Sequence, residues 1–176
     1  MHIRIATTVH RDGICAVHMR AFPADEREII SRLAVNLLSE TTTPQTLSLV
    51  AETEGIIVGH VALSPVTIEN NEHLQGYILA PLGVTPDYQK RRIGSRLINS
   101  GIQRLSKTGV NILFVYGDPE YYSRFGFSTD AADRYIPPYK LQYPFGWQAF
   151  ALNACKITKP SVKIACVTSL CDPELW

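Results

Sequence analysis

The sequence predicts a mixed α+β fold, in which helices flank a central, mostly antiparallel sheet. Three observations carry that prediction. An opening strand is followed by two helical stretches. Residues 46 to 84 then alternate and turn like an antiparallel meander. After the meander, a long amphipathic helix leads into a short, continuously apolar strand. The resulting order is β-α-α-β-β-β-α-β-α-β-β, which suits a layered α+β domain better than a helical bundle or a β-sandwich.

The elements follow from local patterns. "HIRIATTV" alternates from Ile3 and Ile5 and reads as the first strand. In "HRDGICAVHMRAF", Ile14, Val17, His18 and Ala21 share one face at helical spacing, and Pro23 stops the helix. "ADEREIISRLAVNLL" is a second helix with acids at its start, where the helix dipole favours them. Its apolar face is Ile29, Ile30, Leu33 and Leu37. "TLSLVAET" and "IIVGHVALSPVTI" pair as a hairpin through Gly55, and "LQGYILAPLGV" is the third meander strand. The turn "TPDY" leads into a helix expected from about Gln89 to Lys107. "VNILFVYG" reads as a buried strand, and "DPEYYSRFGF" as a turn and short helix ended by Gly126. Residues 128 to 147 are rich in Pro and Tyr and resist assignment. "WQAFALNAC" and "VKIACVTSL" read as two late strands around a turn near Lys159 and Pro160.

Bulk properties narrow the function classes. The chain has 176 residues and a net charge of +1, which fits one domain over residues 1–176 with a sizeable core. That charge balance lacks the basic excess of a nucleic-acid binder, so no nucleic acid is expected. Cys15, Cys155, Cys166 and Cys171 form no C-x-x-C pair and have no His cluster beside them. No metal site is expected, and free thiols suit a reducing cytoplasm. No signal peptide and no span of about 18 apolar residues is present, so a cytoplasmic protein with no membrane partner is expected.

The chemistry concentrates at "DYQKRRIGSRL", where a strand, a turn and a helix start follow in order. A helix N-terminus offers unpaired N–H groups and partial positive charge, and a suitable turn makes it an anion site. Neither G-x-x-x-x-G-K-[ST] nor G-x-G-x-x-G is present, so the stretch is not a Walker-type or dinucleotide loop. On the residues alone, a solvated basic helix start and a phosphate cradle both remain open.

Gln89-x-x-Arg92-x-Gly94 resembles the acyl-CoA signature Q/R-x-x-G-x-G/A of the GNAT N-acetyltransferases. "YYSRFGF" (Tyr121 to Phe127) resembles that family's second signature, and the meander and intervening strand match as well. The likeness covers about residues 3 to 130. One departure is that Arg92 stands where the family has its first glycine. "PLGV", "GHVALSPV" and "GDPEYYSRFGF" look most like a bacterial subgroup whose substrates are often unassigned.

This resemblance implies a GNAT-like fold with a V-shaped splay between two parallel strands, "PLGV" and "VNILFVYG". It implies acetyl-CoA as acetyl donor and an amine acceptor. Backbone groups of Leu82, Gly83 and Val84 would take the pantetheine arm. The turn and helix start at Gln89, Lys90, Arg91, Arg92, Ile93, Gly94 and Ser95 would hold the phosphates. Tyr122 would be the general acid, its phenol pKa of about 10 lying near a thiol's. The base is open among Glu52, His60, Ser64, Glu69 and water, since the third meander strand carries no Asp or Glu.

Asp25, Glu26 and Glu28 either attract a cationic amine or form a solvated helix start. "YIPPYKLQYPFGW" suits contact with a substrate or with a second subunit in a homodimer. Two other functions stay in play. One is an acyl-CoA-binding module without turnover; the other is an RNA-directed acetyltransferase, which the small net charge disfavours.

Overall fold

The computed structural model describes residues 1–154 and 161–176. In chain order the elements are β1 (His2–Ile5), α1 (Arg11–Ala21), α2 (Arg27–Ser39), β2 (Leu47–Thr53), β3 (Ile56–Ile68), β4 (Gly76–Val84), α3 (Ile93–Lys107), β5 (Ile112–Tyr116), α4 (Pro119–Tyr122), α5 (Thr129–Ala132), β6 (Tyr135–Ile136), β7 (Trp147–Ala151) and β8 (Val162–Cys166). The chain divides into two compact units. The first holds residues 1–63 and 80–101 with Leu175, and the second holds residues 64–79 and 102–174 with Trp176. Strands β3 and β4 and helix α3 each pass from one unit to the other along the chain.

In the first unit β1 pairs antiparallel with β2, and β2 with β3, the first hairpin of the predicted meander. His2 faces Glu52 across β1 and β2, and Leu47 faces Leu63 across β2 and β3. The β2–β3 turn places Glu54 and Gly55 both at positive φ (52° and 78°). That combination gives the type I′ geometry whose twist matches a tight hairpin. Val58 to Leu63 of β3 is a run without an exposed residue. Both faces of β3 are covered, which explains the continuous apolar pattern. Successive strand residues point to opposite faces. A Cβ on Gly59 would lie 3.1 Å from Ile93 and from Leu97 of α3, whereas His60 points to His18 of α1. Helix α3 therefore covers one face and α1 the other. Ile14, Val17, Leu33, Leu37, Leu49 and Val61 fill the core.

In the second unit β4 and β5 are parallel, with Gly76–Ile78 in register with Ile112–Phe114. Strand β7 runs antiparallel to β5, Tyr116 facing Trp147. Strand β8 pairs antiparallel with the end of β3, and β6 pairs parallel with β8. The last two predicted strands are thus present, but each pairs with other strands. The turn expected near Lys159 and Pro160 lies outside the described residues. The unassigned stretch 128–147 holds α5, β6 and a 3₁₀ turn. It is organised around Trp147, which stacks on Phe114 with ring centres 5.3 Å apart and donates its indole N–H to Tyr135 O. This stretch lines an open cleft of about 950 Å³ with Tyr139, Leu141 and Cys166.

The fold class agrees with the sequence reading: a mostly antiparallel sheet with the parallel pair β4–β5, and flanking helices. The predicted start of α3 does not. The helix begins at Ile93, about four residues after the expected Gln89. Lys90 and Arg92 sit at φ 59° and 60°, left-handed values that end any right-handed helix at those positions. The three bases therefore belong to the turn.

Among the described residues no helix is long and apolar enough to cross a membrane, and no cluster of three or more His, Cys, Asp or Glu could hold a metal ion. Cys15, Cys166 and Cys171 are free thiols.

Candidate active site

The β4–α3 turn is built from inside the first unit. Thr85 is buried and donates its N–H and its hydroxyl to Val58 O, at 3.0 and 3.3 Å. Pro86 to Tyr88 then form one 3₁₀ turn. The Gln89 side chain reaches back and donates to Val84 O at 3.0 Å. It thereby ties the turn to the end of β4. Arg20 of α1 pairs with Asp87. Arg91 lies over the Tyr88 ring, 5.0 Å from its centre, a cation–π contact that occupies this guanidinium.

Beyond Gln89 the backbone opens. The N–H of Gln89 is held by Pro86 O, and that of Arg96 by Arg92 O. Among the described residues, no acceptor takes the six N–H groups between them, from Lys90 to Ser95. Left-handed residues set between others fold successive N–H groups into a concave nest that suits an anion. Here Lys90 and Arg92 supply that conformation. The helix dipole of α3 adds partial positive charge at the same place. Lys90, Arg92 and Arg96 are exposed and have no side-chain partner among the described residues. Ile93 is buried against Gly59 and fixes the helix start, and Gly94 and Ser95 are half-buried. Leu82 and Val84 are half-buried on β4, and Gly83 between them is buried.

The glycine expected by the family signature can now be explained in conformational terms. Arg92 holds φ 60°, the region where glycine carries no Cβ penalty. This chain adopts that glycine-favoured shape with a non-glycine residue. That substitution leaves the main-chain donor in place and projects one more cation.

Tyr122 lies in the second unit, at the end of α4. Asp118 caps this short helix by accepting from Glu120 N at 2.9 Å. The Tyr122 ring lies so close to Gly117 that a Cβ there would stand 2.6 Å from its Cε2. Tyr121 and Phe127 contact the ring edge to face, with centres 5.1 and 5.8 Å away. Burial raises the phenol's pKa above its ordinary value, and the nearby Tyr121 and Asp118 add to the rise. Its hydroxyl has no hydrogen-bond partner among the described residues. Gly126 ends the segment at φ 95°.

The candidates for a base fare differently. His60 is fully buried and sealed between two partners: its Nε2 meets Ser48 Oγ and its Nδ1 meets His18 Nε2, each at 2.8 Å. Desolvation, then the neighbouring His18, holds its pKa well below the usual value. His60 is thus a hydrogen-bonded residue of the core. Glu52 pairs with Arg4, Glu69 accepts from Lys163 N at 3.4 Å, and Ser64 is buried with its hydroxyl unpartnered. Asp25, Glu26 and Glu28 are exposed around the start of α2, a solvated helix start. The partner role of His18 is absent from the sequence reading, which placed it only on an apolar helix face. The available signal was a histidine at a core position with Ile14 and Val17.

The turn is a basic, donor-rich backbone cradle. The sequence model of the Acetyltransferase (GNAT) domain matches residues 2–129. The uncharacterized N-acetyltransferase YjhQ of Escherichia coli K12 is 36% identical over 130 residues, 72% of each chain. The uncharacterized N-acetyltransferase YhbS of the same strain is 35% identical over 132 residues, 74% of this chain and 75% of its own. The crystal structure of E. coli YhbS in complex with CoA superposes with a TM-score of 0.74 at 30% identity, covering 86% of this chain and 81% of that one. A GNAT family acetyltransferase from Brucella melitensis in complex with acetyl-CoA gives 0.69 at 29% identity, covering 96% of both. The chain belongs to the GNAT family of acetyltransferases.

Proposed function

We propose that this protein moves the acetyl group of acetyl-CoA onto a primary amine of a small molecule or peptide, all 176 residues acting as one GNAT-like domain. The observation that carries the reading is the run of six open N–H groups from Lys90 to Ser95. The residues there fit a diphosphate. The donors are main-chain groups, Lys90 and Arg92 add charge, and Asp87, in the same turn, is paired with Arg20. The complexes of the two relatives with CoA and acetyl-CoA support the same assignment.

In this reading the N–H groups from Lys90 to Ser95 bind the pyrophosphate. Gln89 holds the turn in place by its bond to Val84 O. Backbone groups of Leu82, Gly83 and Val84 bond the pantetheine arm. Acetyl-CoA supplies a thioester activated for attack by a neutral amine. The amine nitrogen bonds the carbonyl carbon, the C–S bond breaks, and the sulfur takes up the electron pair. Tyr122 donates to that sulfur. Its raised pKa keeps the phenol protonated at neutral pH and makes it a weak acid. It donates a hydrogen bond to the developing thiolate, and the proton that it passes to sulfur is replaced, through water, by the one that the nitrogen sheds as the amide forms, leaving neutral Tyr122, amide and CoA thiol. The ammonium proton of the acceptor leaves to water, because Glu52, Glu69 and His60 are engaged elsewhere.

That engagement also favours a second reading, an acyl-CoA-binding module without turnover. One experiment separates the two. The protein is titrated with acetyl-CoA and CoA by calorimetry, then assayed for thiol release over a panel of primary amines with wild type and Tyr122→Phe. The expected result is binding, turnover with some amines, and a kcat lower by about 10²–10⁴-fold in Tyr122→Phe with unchanged affinity. Binding without turnover on any amine supports the module, and absence of binding sinks both.

A further inference from the structure

Ser48, His60 and His18 form a buried polar chain inside the first unit that no step above uses. It starts on β2, crosses β3 and ends on α1. The links Ser48 Oγ to His60 Nε2 and His60 Nδ1 to His18 Nε2 are both 2.8 Å. His18 and His60 are 0% exposed and Ser48 is 5% exposed. Each link needs one donor and one acceptor, so the proton positions of the two rings are coupled. The chain ends at His18 Nδ1, which is buried and has no partner. A polar atom left open in a core is costly unless its position serves something.

What it faces is Gly83. A Cβ on Gly83 would lie 2.8 Å from His18 Nδ1 and 2.9 Å from its Cε1. Glycine's hydrogen on that side stands along the same line, against the imidazole edge. A strand glycine commonly marks such a close approach. The ring itself is locked by its bond to His60 and by Phe22, stacked 5.8 Å away. From the same helix, Arg20 pairs with Asp87 beyond the end of β4.

We infer that His18 is a positioning residue for acetyl-CoA binding: held by His60 and Ser48, its imidazole edge sets the place of the Gly83 backbone. This inference rests on the cofactor reading above, in which Leu82, Gly83 and Val84 receive the pantetheine arm. His18 touches no ligand in this scheme; it acts through Gly83.

A double-mutant cycle tests it. His18→Ala, Gly83→Ala and the double variant are titrated with acetyl-CoA by calorimetry at 10 °C, with melting curves to identify folded samples. Gly83→Ala alone should weaken acetyl-CoA binding at least tenfold, because its methyl meets the fixed ring. In the His18→Ala background the same methyl has room, and should change the affinity less than threefold. A second readout does not depend on variants that fold. In ¹⁵N imidazole spectra of the wild type, acetyl-CoA should shift the His18 Nδ1 signal and leave that of His10 in place. Equal losses from Gly83→Ala in both backgrounds, or a His18 signal unmoved by saturating acetyl-CoA, would overturn the inference while leaving the cofactor reading intact. A wild type that binds no acetyl-CoA would instead sink the cofactor reading on which it rests.

Discussion

Lowering the pH from 7 to 4.5 should remove about 2.5 kcal/mol of stability through His18 alone. The working is direct. Burial lowers the pKa of His18 from 6.5 to about 4. The unfolded chain therefore takes up a proton near pH 6.5 that the native chain refuses. Between pH 6.5 and 4 the unfolded state binds more protons, so stability falls as the pH falls. Above that window neither state is protonated and the full stability is present. The limiting loss is the gap of about 2.5 units at 1.36 kcal/mol each, or about 3.4 kcal/mol below pH 4. At pH 5.5 about 1.4 kcal/mol is gone. His60 is depressed in the same direction and steepens the loss. Urea unfolding at pH 7, 5.5 and 4.5 measures it, with a His18→Leu/His60→Leu variant as control. Carboxylates titrate alike in both proteins, so the difference between the curves isolates the pair. Equal losses in wild type and control between pH 6.5 and 5 would refute the reasoning.

Three substitutions test other parts of the structure. Arg92→Gly should relieve about 1–2 kcal/mol of left-handed strain against about 0.5–1 of added chain entropy, and raise Tm by about 2 °C; a fall in Tm would contradict the left-handed turn. Gly117→Ala places a methyl 2.6 Å from the Tyr122 ring and should lower kcat nearly as far as Tyr122→Phe, while acetyl-CoA affinity measured by calorimetry stays constant. Gly126→Ala combines a φ of 95° with a contact of 2.8 Å to Phe150, and should cost about 2–3 kcal/mol in denaturant unfolding.

The meander was legible because its signals are local: alternation in "TLSLVAET", a Glu-Gly turn, and a continuous run where both faces of β3 are covered. Helix α1 was legible for the same reason, since Ile14, Val17 and His18 are all buried. The start of α3 was not. Its boundary depends on left-handed torsions at Lys90 and Arg92, and neither residue type advertises them. The His18–His60 pair was equally hidden, because it joins positions 42 residues apart that only the packed fold brings together. Residues 128–147 take their shape from Phe114, Trp147 and Trp176, rings that meet across long sequence separations. The candidate phosphate site was readable as a place, but its donors emerged only when the acceptors around it were accounted for.

The left-handed Arg92 changes what kind of inheritance this site needs. A lineage does not have to preserve a letter there, only a torsion angle. Any side chain that tolerates the bend keeps the main-chain donors in position, so the residue itself is released to drift or to acquire another task. The guanidinium at that position adds one exposed cation to those of Lys90 and Arg96 beside the open N–H groups.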